Sequence, residues 1–366
     1  MKFKYPVYRP FLNGKEQKYV NECLNSTWIS SKGKFITRFE KKFSEFIGVK
    51  YSLTVPNGTI ALHLALLGLG IGKEDEVIVP SFTYIASVNA ITYTGAKPVF
   101  AECLESTWQL DPDDVTLKIN KKTKAIMAVH LYGNVCEMDK LREIARKKKL
   151  FIVEDSAESF GSKYKDIYTG NFGDISAFSF FGNKTITTGE GGMVCTNNKK
   201  LYEKCLKLKG QGLAKNREYW HDVIGFNYRM TNICAAIGLA QLENADKIIL
   251  KKRKIAEWYG KYLGGLPVCF QKTDDFVYNS NWMITILVEK KYLRNKLRDY
   301  LKKYGIETRP TFFPVHKMPM YRVNNLSLPV TEDICYRGIN LPSYPALSQS
   351  DIIYIASVIR KFYENC

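Results

Sequence analysis

Short apolar runs recur along the first half of the chain at intervals that a strand, a helix and another strand would fill. Tyr51 to Val55, Glu76 to Val79, Pro98 to Ala101, Ala125 to His130, Leu150 to Glu154, Ile175 to Phe180 and Gly192 to Thr196 have the length and apolar content of buried strands. Between several of them, Thr59 to Leu69, Ile85 to Tyr93 and Met138 to Lys148 carry apolar residues at helical period. Strand and helix in alternation predict a mainly parallel sheet covered on both faces. Ligands of such sheets gather at the carboxyl ends of the strands.

Ahead of this pattern, Phe35, Phe39, Phe43 and Phe46 recur at helical spacing and stop at Gly48, which reads as a core stripe with a glycine end. After it, Thr231 to Ala245 is alanine-rich and helical, and Asp246 to Tyr262 continues as a charged helix. A strand (Trp282 to Val288), a charged helix (Lys290 to Tyr304) and a final helix (Asp351 to Tyr363) follow. The expected division is a large domain at 1–245, with a helical lead-in, and a smaller one at 246–366.

Composition narrows the class. With 366 residues, 45 % of them hydrophobic, the chain can bury real cores. Its start lacks a continuous apolar leader, and Ile60 to Ile71 is too short to span a bilayer, so a cytoplasmic protein without a membrane partner is expected. Nine scattered cysteines without a C-x-x-C pair fit free thiols, and four histidines form no metal motif, so no metal is expected. The net charge of +18 raises nucleic-acid binding, but KKTK, RKKK and KKRK lack interleaved aromatics and read as solvated faces. A field that draws in anionic small molecules uses the charge better.

Three strand ends carry the candidate chemistry. In "VPNGTIALHLAL", Asn57, Gly58 and Thr59 open a helix whose first N–H groups could bind an anion, with an ordinary N-cap as the alternative. In "FIVEDSAES", Asp155 follows an apolar strand where an unpaired carboxylate wants a cationic partner; a capping role is the other reading. In "SFFGNKTITTGEGGMV", Lys184 sits on a turn without the spacing of a phosphate-binding P-loop. An anion cradle, a carboxylate and a lysine converging on one edge suit pyridoxal 5'-phosphate, and Tyr84 in "PSFTYIAS" offers a face on which its ring can stack.

These stretches, with "WISSKGKFITRFE", "AVHLYGN", "YWHDVIGFNYRMTNICAAIGLAQLE" and "TRPTFFPVHKMPMY", resemble the DegT/DnrJ/EryC1/StrS sugar aminotransferases along the whole chain. The resemblance implies an aspartate-aminotransferase-like α/β fold of type I, with a large domain built on a mainly parallel mixed sheet and a smaller C-terminal α+β domain. It also implies that Lys184 forms the Schiff base, Asp155 pairs with the pyridinium nitrogen and Glu158 lies near the ring hydroxyl. Gly58, Thr59 and Ser179 would hold the phosphate and Tyr84 the ring, while Asn227 and Arg229 would reach the cofactor phosphate of a neighbouring subunit. Ser31, Asn183, Arg309 and His316 fall in segments that the family uses around the sugar nucleotide. Some relatives carry His in place of this lysine and dehydrate the sugar; Lys184 disfavours that chemistry.

The implied reaction moves the amino group of L-glutamate to C4 of a nucleotide-linked 4-keto-6-deoxyhexose, with ping-pong kinetics, in a homodimer with shared sites. GDP-4-keto-6-deoxymannose is the expected substrate and UDP- or dTDP-4-keto-6-deoxyglucose the alternative. A regulator that keeps the fold without the chemistry is the rival of another class.

Overall fold

The computed structural model describes residues 3–12 and 14–365; Cys366, ninth of the cysteines, lies outside the described residues. Seven strands form one sheet in the order Tyr51–Val55, Gly192–Thr196, Ile175–Ser179, Phe151–Asp155, Thr123–Val129, Glu76–Pro80, Lys97–Ala101. From Ile175–Ser179 to Lys97–Ala101 every pairing is parallel, whereas Gly192–Thr196 runs antiparallel to both its neighbours. Glu76–Pro80, Ile175–Ser179 and Gly192–Thr196 are buried at every position. Burial on both faces is why these strands read as continuous apolar runs without alternation.

The helices cover the two faces as the periodicity predicts. Gly58–Leu69 is apolar nearly all round and lies largely inside, against the sheet and the helices Ile85–Tyr93 and Lys199–Lys209. Phe35, Phe39 and Phe43 are buried on Lys34–Ile47, which ends at Gly48 with φ 84°. Phe46 is only partly covered, stacked on Phe160 at 5.3 Å. The alanine-rich helix is shorter than the sequence suggests, Asn232–Leu242, because Thr231 caps it by accepting from Cys234 N and Glu243 and Asn244 separate it from Ala245–Leu263. The last helix starts earlier, at Gln349, behind a capping box of Ser348 and Asp351.

A second, antiparallel sheet runs in the order Val268–Phe270, Ile284–Val288, Gly338–Leu341, Arg309–Pro310. It shares a separate core with Ala245–Leu263, Lys291–Lys303 and Gln349–Glu364. Sequence periodicity found one of these four strands; the others are too short to display a period. One early segment joins this second core: Tyr5 packs in it and bridges to Ile306, and Val7 O accepts from Ser343 N at 3.1 Å. Among the described residues no helix is long and apolar enough to cross a membrane.

Candidate active site

The strand Phe151–Asp155 ends in two carboxylates that alternation sends to opposite faces of the sheet. Asp155 is buried, with Oδ2 accepting from Ser87 Oγ at 2.6 Å and Oδ1 from Ala157 N at 3.1 Å. Among the described residues no cation stands within 4 Å of it. Burial pushes its carboxyl above the usual range, against the pull of Ser87, Ala157 and the charge of Lys184. One turn on, Glu158 Oε2 accepts from Tyr132 N at 3.1 Å, and burial raises its carboxyl to about 7.

Lys184 enters from the turn beyond Ile175–Ser179, its amide bonded to Phe181 O at 2.9 Å. Its Nζ lies 3.5 Å from Glu158 Oε1 and 4.1 Å from the centre of the Trp282 ring. Beneath it the rings form a row. Trp282 stacks on Tyr132 (6.2 Å, 12° between planes), Tyr132 on Phe312 (5.6 Å, 21°), and Phe312 adjoins Tyr84 (5.5 Å). Tyr84 is 56 % exposed, so its face is free for a flat ligand.

At the neighbouring strand end, Asn57 Oδ1 accepts from Ile60 N at 2.9 Å, so the capping reading of this asparagine holds. The N–H groups of Gly58 and Thr59, one turn earlier than any intrahelical acceptor, still point outward. Gly58 lies against Ser179: a Cβ at position 58 would stand 2.7 Å from Ser179 Cβ and 3.0 Å from its Oγ. Only glycine allows that approach. Asn183, beside the lysine, has a buried Oδ1 without a partner among the described residues, as have the Ser156 and Thr185 hydroxyls.

Other expected residues stand apart. Asn227 and Arg229 are exposed and bonded to each other, Arg229 Nε donating to Asn227 Oδ1 at 2.9 Å. Their neighbours Phe226 and Tyr228 face inward, stacked at 4.7 Å and 17°, with Tyr228 Oη 3.1 Å from His63 Nδ1. Ser31 is half-buried in the turn before Lys34–Ile47, and Arg309 is exposed, 3.5 Å from Glu307. None of these four bonds to Lys184, Asp155 or Glu158 among the described residues. His316 is fully buried, Nδ1 2.6 Å from Ser81 Oγ and Nε2 3.2 Å from Glu332 Oε1, so both nitrogens are engaged within the chain. Burial lowers its pKa.

Sequence reasoning missed Ser87, Tyr132 and Trp282. Ser87 had a signal, since it lies one helical turn after Tyr84 within the same quoted motif and points the same way. Tyr132 had a weaker one, as it follows a strand end within the quoted "AVHLYGN", and Trp282 had none, because it comes from just before the distant strand Ile284–Val288.

The donor set fits pyridoxal phosphate: a buried carboxylate lacking a cation for the ring nitrogen, a glycine-bared helix start for the phosphate, and a lysine amine between them. The model of the DegT/DnrJ/EryC1/StrS aminotransferase family matches residues 10–360. GDP-perosamine synthase of Escherichia coli O157:H7 is 59 % identical over 360 residues, 98 % of this chain and 99 % of its own. GDP-perosamine synthase of Vibrio cholerae is 49 % identical over 365 residues, 99 % of each chain. The PLP form of Spr1654 from Streptococcus pneumoniae superimposes with a TM-score of 0.94 at 28 % identity, over 100 % of this chain and 99 % of that one. This chain belongs to the DegT/DnrJ/EryC1/StrS aminotransferase family and is a pyridoxal phosphate-dependent enzyme.

Proposed function

We propose that the enzyme transfers the amino group of L-glutamate to C4 of GDP-4-keto-6-deoxymannose, giving GDP-perosamine. The nucleotide and sugar rest on the two relatives of that name, each of which aligns over nearly its whole length. The chemistry rests on one observation above the others: Lys184 and Asp155, from different strand ends, converge on a buried site where Asp155 has no cationic partner.

When bound, pyridoxal phosphate supplies an aldehyde that takes up amines and a protonated ring that draws electrons from the carbon bearing them. The residues of the chain do the rest. Lys184 Nζ would attach the cofactor and, as a free amine, would serve as the base that carries a proton to and from the reacting carbon. Glu158, 3.5 Å away with its carboxyl near 7, holds the amine in place and can share that proton. Asp155, oriented by Ser87 and Ala157, keeps the ring nitrogen protonated. The Gly58 and Thr59 amides with Ser179 receive the phosphate, Tyr84 covers the ring, and Trp282 shields the amine from water. Ser31, Asn183 and Arg309 are assigned to the sugar nucleotide, Asn183 through its unpartnered Oδ1.

We assign Asn227 and Arg229 to the site of a second subunit in a homodimer. Their support is the alternation of the segment: Phe226 and Tyr228 anchor it on the chain's own helix at His63, which leaves Asn227 and Arg229 facing out. Mixing Lys184→Ala chains with Asn227→Ala/Arg229→Ala chains should restore activity in hybrid dimers, and silence from verified hybrids of two inactive parents overturns the shared site.

The substrate assignment is tested by side-by-side assays with glutamate. GDP-4-keto-6-deoxymannose should give a higher kcat/KM than UDP- or dTDP-4-keto-6-deoxyglucose, and a preference for either of those replaces it.

A further inference from the structure

Two consecutive carbonyls of the turn that carries the reactive lysine accept hydrogen bonds from aromatic side chains far away in the chain. Trp282 Nε1 donates to Asn183 O at 2.7 Å, and Tyr8 Oη donates to Lys184 O. Turn carbonyls usually face water, so two held by side chains from positions 8 and 282 mark a main chain fixed from outside its own loop.

Both donors are themselves rigid. The segment before Tyr8 is tied to the second core by Tyr5 N to Gly305 O (3.0 Å), Glu307 N to Tyr5 O (2.9 Å), Val7 N to Glu307 Oε2 (2.9 Å) and Ser343 N to Val7 O (3.1 Å). Behind the Tyr8 ring, Lys252 Nζ lies 5.2 Å from the ring centre and donates to Ser343 O at 2.8 Å. Lys252 is 1 % exposed and among the described residues has no carboxylate within 4 Å, an arrangement that costs stability and that an aliphatic side chain would avoid. Trp282 is 3 % exposed and packed on Tyr132. The reactive turn is therefore gripped by two groups of different origin, Tyr8 held against the second core and Trp282 buried in the first.

We propose that Tyr8 and Trp282 are positioning residues which set the main chain at Asn183 and Lys184, Tyr8 from the second core and Trp282 from the first, so that the aim of the Lys184 amine depends through Tyr8 on how the second core sits against the first sheet. This rests on the assignment of Lys184 as the residue that attaches the cofactor. Tyr8 touches neither cofactor nor substrate in this role; it acts through the Lys184 carbonyl.

Tyr8→Phe removes one oxygen atom and leaves the ring over Lys252. Hydrogen exchange, followed by mass spectrometry on cofactor-free protein, should quicken in residues 181–189 by about fivefold, the value of one lost hydrogen bond, with other protected segments unchanged. In the holoenzyme the pH midpoint of the visible absorption band should shift, and kcat should fall while KM for the keto sugar stays within about twofold, as expected when orientation and not binding is lost. Wild-type exchange in 181–189, or an increase spread evenly over the chain, overturns the proposal. If Tyr8→Phe does not fold, the same readings on Trp282→Phe decide it in the same way. Borohydride labelling of wild-type holoenzyme separates the two layers: a label away from Lys184 defeats the functional reading, whereas a label on Lys184 with an unchanged Tyr8→Phe defeats only this inference.

Discussion

Glu154 and Asp155 are adjacent on one strand, both buried, and their surroundings on the two faces of the sheet are opposite in kind. Glu154 is saturated: Oε1 accepts from Phe172 N and Gly173 N, each at 2.7 Å, and Oε2 from Gly170 N at 2.8 Å and His130 Nε2 at 3.1 Å. His130 Nδ1 accepts from Cys136 N at 3.2 Å, which leaves Nε2 as the nitrogen that donates to Glu154. Asp155 has two neutral donors and no ion pair, on the face where Lys184 arrives. A carboxylate whose acceptor sites are filled by the chain closes a loop; one left short of donors in a buried place is prepared for a ligand.

That contrast has measurable consequences, and the largest is at Asp155. Asp155→Asn should lower kcat by about 100-fold or more, roughly 2.7 kcal/mol of transition-state stabilisation, with a melting temperature close to wild type. A loss under about tenfold would reduce Asp155 to a cap. Glu154→Gln should do the reverse. Its amide brings hydrogens toward backbone N–H donors, which should cost about 2–4 kcal/mol in urea unfolding of the cofactor-free protein while kcat of the folded fraction changes little. If both variants lost activity and stability alike, the two faces would not differ as described.

The smallest effect sharpens the comparison at Glu158, which shares the Asp155 face. Burial raises its carboxyl from 4.5 to about 7, so between those values the folded chain keeps a proton that the unfolded chain releases. Stability from this group is therefore full at low pH and falls as pH rises toward 7. Relative to wild type, Glu158→Gln should gain stability from pH 5 to pH 8, on the order of 1–3 kcal/mol, in the cofactor-free protein. Parallel unfolding midpoints across that range would mean that Glu158 stays ionised in the fold.

The seven strands of the first sheet were legible because burial on both faces imposes apolar runs bounded by turns, and Ile175–Ser179 and Phe151–Asp155 fall within a residue or two of where the pattern sets them. Lys184, Asp155 and Gly58 were legible as strand-end residues of the right chemistry. What stayed hidden depends on tertiary contact. Little local distinguishes Glu154 from Asp155, since the donors of Glu154 come from positions 170–173 and 130, and of the two donors of Asp155 only Ala157 N is near in sequence, the other being Ser87. The resemblance put His316 in a segment used around the sugar nucleotide, and nothing near it in sequence showed that Ser81 and Glu332 take both its nitrogens. The two-residue strands and the descent of Tyr5 into the second core leave no periodic trace at all.

The central claim is that the cofactor is attached to Lys184 in the pocket that Asp155 completes. Purified holoenzyme reduced with borohydride, digested and mapped by mass spectrometry tests it most directly. The account predicts loss of the visible absorption band, a pyridoxyl mass on the peptide containing Lys184, and no such peptide from Lys184→Ala. A pyridoxyl group on any other lysine, or the same visible band retained by Lys184→Ala, would contradict it.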